Sequence, residues 1–100
     1  MVEVRQTERF ARWLAGLRDL RASAKVQASI ERLIGGNPGD FKPVGAGVSE
    51  LRINYRPGYR VYYLQRGTAL IILLAGGDKS SQAMDIHEAL LLADNLMEET

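Results

Sequence analysis

The sequence contains no cysteine, a single histidine and no long hydrophobic run among its 100 residues. The absence of cysteine excludes a disulfide framework, a thiolate zinc site and a cysteine nucleophile. The longest apolar run, residues 69–75, is far shorter than the roughly 20 residues that span a bilayer. The first ten residues, MVEVRQTERF, lack the apolar segment of a signal peptide. We therefore expect a cytoplasmic protein with no membrane partner.

Positive and negative charges nearly cancel, leaving a net charge of +1, but they are unevenly distributed along the chain. Residues 41–79 contain six Lys/Arg against two Asp/Glu, whereas residues 80–100 contain five Asp/Glu and no Lys/Arg. A basic middle segment beside an acidic end favours a surface that faces a polyanion. The alternative is an ordinary solvated sheet whose charges are scattered.

The first 40 residues predict a strand followed by a helical hairpin, within a single domain of residues 1–100. Residues 2–6 alternate as a short strand does, and Thr7 is a suitable N-cap for the helix that follows. Two apolar stripes at helical spacing come next. They comprise Phe10, Trp13, Leu14 and Leu17 in the first helix, and Val26, Ile30, Leu33 and Ile34 in the second.

From residue 41 the hydrophobic period changes to two, which predicts strands. Residues 48–56 and 59–66 alternate around a turn at Pro57-Gly58, and residues 68–75 are apolar enough for a central strand. The last segment, roughly residues 81–98, returns to helical spacing. The predicted class is α+β, in the order β-α-α-β-β-β-α. It is an antiparallel sheet with a helical hairpin packed on it and a C-terminal helix.

The polar parity of the two hairpin strands places basic side chains together. If the apolar faces meet the helices, the opposite face carries Arg52, Arg56, Arg60 and Arg66, interleaved with Tyr62. Guanidinium groups beside an aromatic ring suit phosphate contact and base stacking. A solvated outer face with an exposed tyrosine is the alternative on pattern alone.

The predicted central strand runs directly into the segment GGDKSS, residues 76–81. Ser80 or Ser81 suits an N-cap for the last helix, and a serine cap leaves Lys79 free. The segment is not a Walker loop, because the spacing G-x-x-x-x-G-K is absent. It is either a plain strand exit or a strand exit that also delivers a functional lysine.

Longer stretches resemble the small toxins of the RelE/ParE superfamily, and most closely its HigB-like branch of addiction-module killer proteins. The resemblance rests on ELRINYRPGYRVYY followed by LLAGGDKSSQAMDIHEAL, on RQTERFARWLAGLRD, and on GNPGDFKPVGAGVSELRI. It extends over the whole length, and the predicted order of elements agrees with the fold of that superfamily.

The resemblance implies the toxin of a type II toxin–antitoxin pair. In most of the superfamily such a toxin is an endoribonuclease that cuts messenger RNA on the ribosome. The implied partners are therefore the ribosome, mRNA and a helix-turn-helix antitoxin, with operator DNA reached only through the antitoxin. No metal or other cofactor is implied. The alternatives are a ParE-like inhibitor of DNA gyrase, and a non-catalytic module that acts with its antitoxin in repression.

RNA cleavage without a metal needs a base for the 2′-hydroxyl, cations for the phosphate and an acid for the leaving 5′-oxygen. Arg52 and Arg60, on neighbouring strands, suit a phosphate clamp. Lys79 occupies the place of a basic residue that RelE-type toxins carry just past the last central strand, as base or charge stabiliser. RNA contacts are expected from Lys42, Arg56 and Arg66.

One catalytic group that the resemblance leads us to expect, a tyrosine in the last helix, is absent from its usual position. RelE carries a catalytic tyrosine early in the last helix, and the corresponding residue here is Ile86. Tyr62, or else Tyr55, would have to replace it. His87 lies beside that position, as a general acid or as an ordinary exposed helix residue.

Overall fold

The computed structural model describes residues 2–98 of the chain, with side chains described as far as residue 96. It contains five strands, three α-helices and one 3₁₀ turn within that range. In chain order these are β1 Glu3–Gln6, α1 Glu8–Ala15, α2 Leu20–Ile34, β2 Phe41–Gly45, β3 Val48–Ile53, β4 Tyr59–Arg66, β5 Leu70–Asp78, the 3₁₀ turn Lys79–Ser81 and α3 Gln82–Glu98. The predicted α+β class is confirmed.

Side-chain caps fix where the helical hairpin begins. The Thr7 hydroxyl accepts the backbone N–H of Phe10 at 3.0 Å, so the predicted cap of α1 is confirmed. The Asp19 carboxylate accepts the N–H groups of Arg21 and Ala22 at the start of α2. These bonds satisfy donors that a helix leaves unpaired in its first turn.

The strands form one sheet in the order β1-β5-β4-β3-β2. Its pairs are antiparallel except for β1 and β5, which run parallel, so the sheet is mixed rather than wholly antiparallel. Strand β2 was not predicted, because Pro43 and Gly45 are typical of a loop. An edge strand tolerates both residues, since a proline there need not donate to a neighbour. Lys42 therefore lies within the sheet's edge strand, opposite Glu50, rather than ahead of the sheet.

The sheet has a helix layer on each face. One face meets α1 and α2 through an apolar cluster: Phe10, Val26, Ile30, Leu33, Leu51, Ile53, Val61, Tyr63, Ile71 and Leu73. The other face meets α3 through a second cluster: Val48, Tyr62, Leu64, Ile72, Leu74, Ala75, Ala89 and Ala93. Strand β5 is covered on both faces, as its continuous apolar sequence predicted.

Strand β5 extends beyond its predicted end, through Gly76 and Gly77 to Asp78. A Cβ atom on Gly76 would lie 2.2 Å from the Trp13 ring of α1. A Cβ atom on Gly77, facing the other layer, would lie 1.9 Å from the Asp85 carboxylate of α3. The paired glycines thus let the two helix layers approach one strand from both sides.

Helix α3 runs back over the sheet after the 3₁₀ turn. Its partly buried residues Leu90, Leu92 and Leu96 pack on the second cluster, whereas Leu91 is 48% exposed. The sheet therefore covers three of these four leucines in part. Within residues 2–98, no helix combines the length and the apolar composition needed to cross a membrane.

Candidate functional site

A cavity of about 400 Å³ opens at the end of the sheet where β3 turns into β4 and β5 ends. We call it the charged cleft. Its basic lining residues are Arg52, Arg56, Arg60 and Lys79, and its other polar or aromatic lining residues include Asp40, Asn54 and Tyr55. Three separate segments of the chain therefore contribute cations to one small cavity.

The cleft is open because of where α3 begins. Arg52 lies opposite Arg60 in the β3–β4 pair, and Arg60 lies opposite Gly77 of β5. The next row inward pairs Glu50 with Tyr62 on the same face, and α3 covers that row. Three residues separate the end of β5 from the start of α3 at Gln82, and the helix returns over the inner rows. The cleft opens at the arginine row, where the Arg52 side chain is 33% exposed and the Arg60 side chain 15% exposed.

Beneath the arginines lies Glu50, whose side chain is fully buried. Its Oε1 accepts the Arg52 Nε–H at 3.0 Å and lies 3.9 Å from the Arg60 Nε. Its Oε2 accepts the Tyr62 hydroxyl at 3.0 Å and the Gln82 amide at 2.8 Å. A single buried carboxylate therefore links two strands and the first residue of α3, and it draws both guanidinium groups to one side of the sheet.

This network keeps Glu50 ionised. Burial by itself raises the pKa of the carboxyl, but hydrogen bonds from Gln82, Arg52 and Tyr62 outweigh it, and the pKa is lowered. Burial, together with the neighbouring Glu50 charge, raises the pKa of Tyr62. The hydrogen bond to Glu50 raises the pKa of Arg52. The group beneath the cleft is thus an anion that stabilises two cations.

The two arginines differ in how completely their hydrogen-bond donors are paired. Arg52 is hydrogen-bonded to Glu50 and its side chain is 33% exposed, while the Arg60 side chain is only 15% exposed. The Arg60 Nε–H is buried and has no hydrogen-bond partner among the described residues. Unpaired buried donors are rare in folded proteins and call for an explanation, of which a functional site is one.

Lys79 and Arg56 form the exposed rim of the cleft. Lys79 is the first residue of the 3₁₀ turn, and its Cβ lies 3.8 Å from the position a Cβ would take on Gly58. The cap at this turn is supplied by Asp78, whose carboxylate accepts the Ser80 N–H at 2.8 Å. The cap of this turn is therefore an aspartate, and Lys79 takes part in no ion pair among the described residues.

Two predicted site residues lie elsewhere on the molecule. Tyr62 is fully buried under α3 with its hydroxyl held by Glu50, so the expectation that it lies on an open face is wrong. Arg66 lies at the opposite end of β4, six residues or roughly 20 Å from Arg60. Of the four arginines predicted to share one face, Arg52, Arg56 and Arg60 reach the cleft and Arg66 does not.

Of the remaining predicted residues, His87 and Lys42 do not line the cleft. His87 is exposed on α3, and Lys42 is exposed on the edge strand β2. Tyr55 does line the cleft, with its hydroxyl 3.2 Å from the Asp19 carboxylate at the start of α2. Ile86 packs against the second cluster.

Sequence reasoning missed Glu50 and Gln82. The strand parity of Glu50 matches that of the arginines, and parity alone predicts a place on the solvated face. The available signal was its isolation: it is one of only two acidic residues between residues 41 and 79. Among the described residues, no group of three or more His, Cys, Asp or Glu side chains is placed to hold a metal ion.

Comparison with known proteins adds a family to this geometry. The model of the family described as phage-derived protein Gp49-like matches residues 12–98. The chain is also 50% identical over 95 residues to an uncharacterized protein of Haemophilus influenzae, and the alignment covers 95% of this chain and 96% of that protein. No solved structure matches. The chain belongs to the Gp49-like family, a toxin-type family related to the RelE- and HigB-type toxins.

Proposed function

We propose that this protein is the toxin of a type II toxin–antitoxin pair and a metal-independent endoribonuclease that cuts mRNA on the ribosome. It would act in the cytoplasm, where its substrate is found. The observation that carries the proposal is the charged cleft, in which Arg52 and Arg60 are drawn together over the buried Glu50 and meet Lys79. Cations concentrated in this way suit the binding of a polyanion.

The geometry suits the binding of one phosphodiester. Glu50 engages Arg52 through Nε and lies nearest Arg60 at Nε, so the terminal nitrogens of both remain available to phosphate oxygens. Two fixed guanidinium groups would stabilise the charge that develops on phosphorus in the transition state.

The reaction needs one bond to form and one to break. The 2′-oxygen attacks the adjacent phosphorus, and the bond from phosphorus to the 5′-oxygen breaks. The products are a 2′,3′-cyclic phosphate and a 5′-hydroxyl, with one proton lost by the 2′-hydroxyl and one gained by the 5′-oxygen. Lys79 lies at the rim, where it serves as the base or as a further cation. Tyr62 and His87 are not lining residues of the cleft.

The charged cleft also suggests how an antitoxin would inhibit the protein. A helix-turn-helix antitoxin would neutralise the toxin by making the cleft, or the route to it, unavailable to RNA. An acidic element suits this role, because residues 41–79 carry six basic side chains against two acidic ones.

Purified protein added to ribosomes translating a defined mRNA tests the proposal. Cleavage of the mRNA within the ribosome, mapped from new 5′ ends, is the expected result, and purified cognate antitoxin should suppress it. Intact mRNA together with inhibited DNA supercoiling by gyrase would instead identify a ParE-like inhibitor. Intact mRNA and unaffected gyrase would leave only the repression module.

A further inference from the structure

A second cavity, of about 690 Å³, lies between α2 and the end of β3. It shares one wall with the charged cleft, formed by Asp40, Arg52, Ile53 and Asn54. The backbone N–H of Arg52 donates to the Asp40 carbonyl at 2.9 Å, which joins the wall to the loop before β2. The two cavities therefore lie side by side with this wall between them, and we call the second one the α2 groove.

The α2 groove carries its own cations. Lys25, Ser29 and Arg32 follow helical spacing and lie on one stripe of α2. Ser29 is buried, and its hydroxyl lies 3.2 Å from the Arg32 Nη2, so it fixes one end of the arginine side chain. Lys25 and Arg32 are seven residues apart, or about 10 Å along the helix. They are exposed, and neither is an ion-pair partner in the described structure.

The charged cleft and the α2 groove together carry a net positive charge. The cleft and the α2 groove together are lined by six Lys/Arg and two Asp/Glu side chains, Glu31 and Asp40. A third cavity, between α1 and the end of β5, makes a useful contrast. Its two arginines, Arg9 and Arg12, are balanced by Asp78 and Asp85, and Arg9 lies 3.8 Å from the Asp85 carboxylate. Of these two neighbouring cavities, the α2 groove is the one with an excess of positive charge.

We propose that the α2 groove is a second phosphate-binding subsite, which holds the same RNA strand beyond the phosphate in the charged cleft. The inference rests on the proposed function and names the part of the substrate that lies outside the reacting bond. A positively charged groove that follows the backbone is how single-stranded RNA is bound without base recognition. Lys25 and Arg32 are the two contacts, and Arg52, common to both cavities, joins the subsites.

The test compares RNA lengths with the free protein. The probes are 2′-O-methyl RNA oligonucleotides, which cannot be cleaved because the attacking oxygen is blocked. A short probe of about 4 nucleotides and a long one of about 12 lie within the site sizes of single-strand grooves. The variant carries Lys25→Ala with Arg32→Ala, and the matched control carries Arg5→Ala with Arg18→Ala. Both pairs remove two exposed charges, and the control pair lines neither cavity.

The groove variant should bind the short probe as the wild type does and the long probe several-fold more weakly. Its slope of log affinity against log salt for the long probe should fall in magnitude by about 1.4, the value for two lost phosphate contacts. The control should match the wild type in both respects. Unchanged binding of the long probe, an equal loss with both probes, or no binding of either probe by the wild type would each overturn the subsite. Cleavage of ribosome-bound mRNA by the wild type decides the proposed function separately.

Discussion

The two faces of the sheet are built from the same strands but end differently where β3 turns into β4. The face under α1 and α2 stays apolar to its edge, where Trp13 and Tyr59 meet with ring centroids 6.2 Å apart. The face under α3 is apolar in the middle and then changes to Glu50, Tyr62 and the arginine pair. One face is purely a core, while the other is a core that continues into a site.

This difference has a simple cause in the chain. Helix α3 follows β5 after one 3₁₀ turn, so it cannot cover the row of side chains beside its own start. Its first residue, Gln82, instead donates to Glu50 and closes the polar network from above. The transition from core to site therefore takes place over a single row of the sheet, between the Glu50–Tyr62 pair and the Arg52–Arg60 pair.

Glu50 and Leu51 are adjacent, both fully buried, and on opposite faces of the sheet. A substitution at each of them therefore tests one face at a time. Leu51→Ala should lower the free energy of unfolding by about 2–5 kcal/mol, because it leaves a cavity in the core. Cleavage per folded molecule should not change. Urea unfolding and a cleavage assay corrected for the folded fraction check both. A loss of intrinsic activity in Leu51→Ala would show that the two faces are not separable.

Glu50→Gln should instead reduce cleavage per folded molecule. The amide keeps the shape of the side chain but removes the charge that holds Arg52 and draws in Arg60. A small misplacement of catalytic groups costs roughly 10²-fold in rate, and we expect a loss of this order in the folded protein. Single-turnover cleavage on ribosomes measures it. If Glu50→Gln cleaves at the wild-type rate, then Glu50 does not position the arginines.

The decrease of the unfolding free energy at acid pH should also distinguish Glu50→Gln from the wild type, by a smaller amount. The folded pKa of Glu50 is below its ordinary 4.5, so its contribution to stability is present above that pH and is lost as the pH falls below it. The pKa of Asp78 is lowered too, by hydrogen bonds from Ser80, but Asp78 is common to both proteins. Unfolding free energies measured from neutral pH downward should fall less steeply in Glu50→Gln. Parallel curves would mean that Glu50 gains nothing from its partners.

The apolar face could be predicted from the sequence almost completely. Val26, Ile30 and Leu33 recur at helical spacing, and Leu51, Ile53 and Val61 recur at strand spacing, because burial against one layer enforces a single period. The strand β2 could not be predicted in the same way. Its residues are mostly exposed at a sheet edge, so no hydrophobic pattern marks them.

The site face could be predicted only in part. The parity of Arg52 and Arg60 was correct, but the period does not reveal that a helix covers the row beside them. Tyr62 and Glu50 therefore looked solvated although both are fully buried, and the Arg60 side chain is only 15% exposed. The family resemblance supplied the place of Lys79, and the structure supplied its proximity to the arginines. Arg66 has the right parity but lies too far along β4.

Cleavage of ribosome-bound mRNA by Lys79→Ala and Arg66→Ala, measured beside the wild type, tests the central claim most directly. Both residues are exposed, so both variants should keep the stability of the wild type. Only Lys79 reaches the charged cleft. We predict that Lys79→Ala loses roughly 10²-fold or more in cleavage rate and that Arg66→Ala cleaves normally. Normal cleavage by Lys79→Ala, or an equal loss in Arg66→Ala, would contradict the assignment of the charged cleft as the active site.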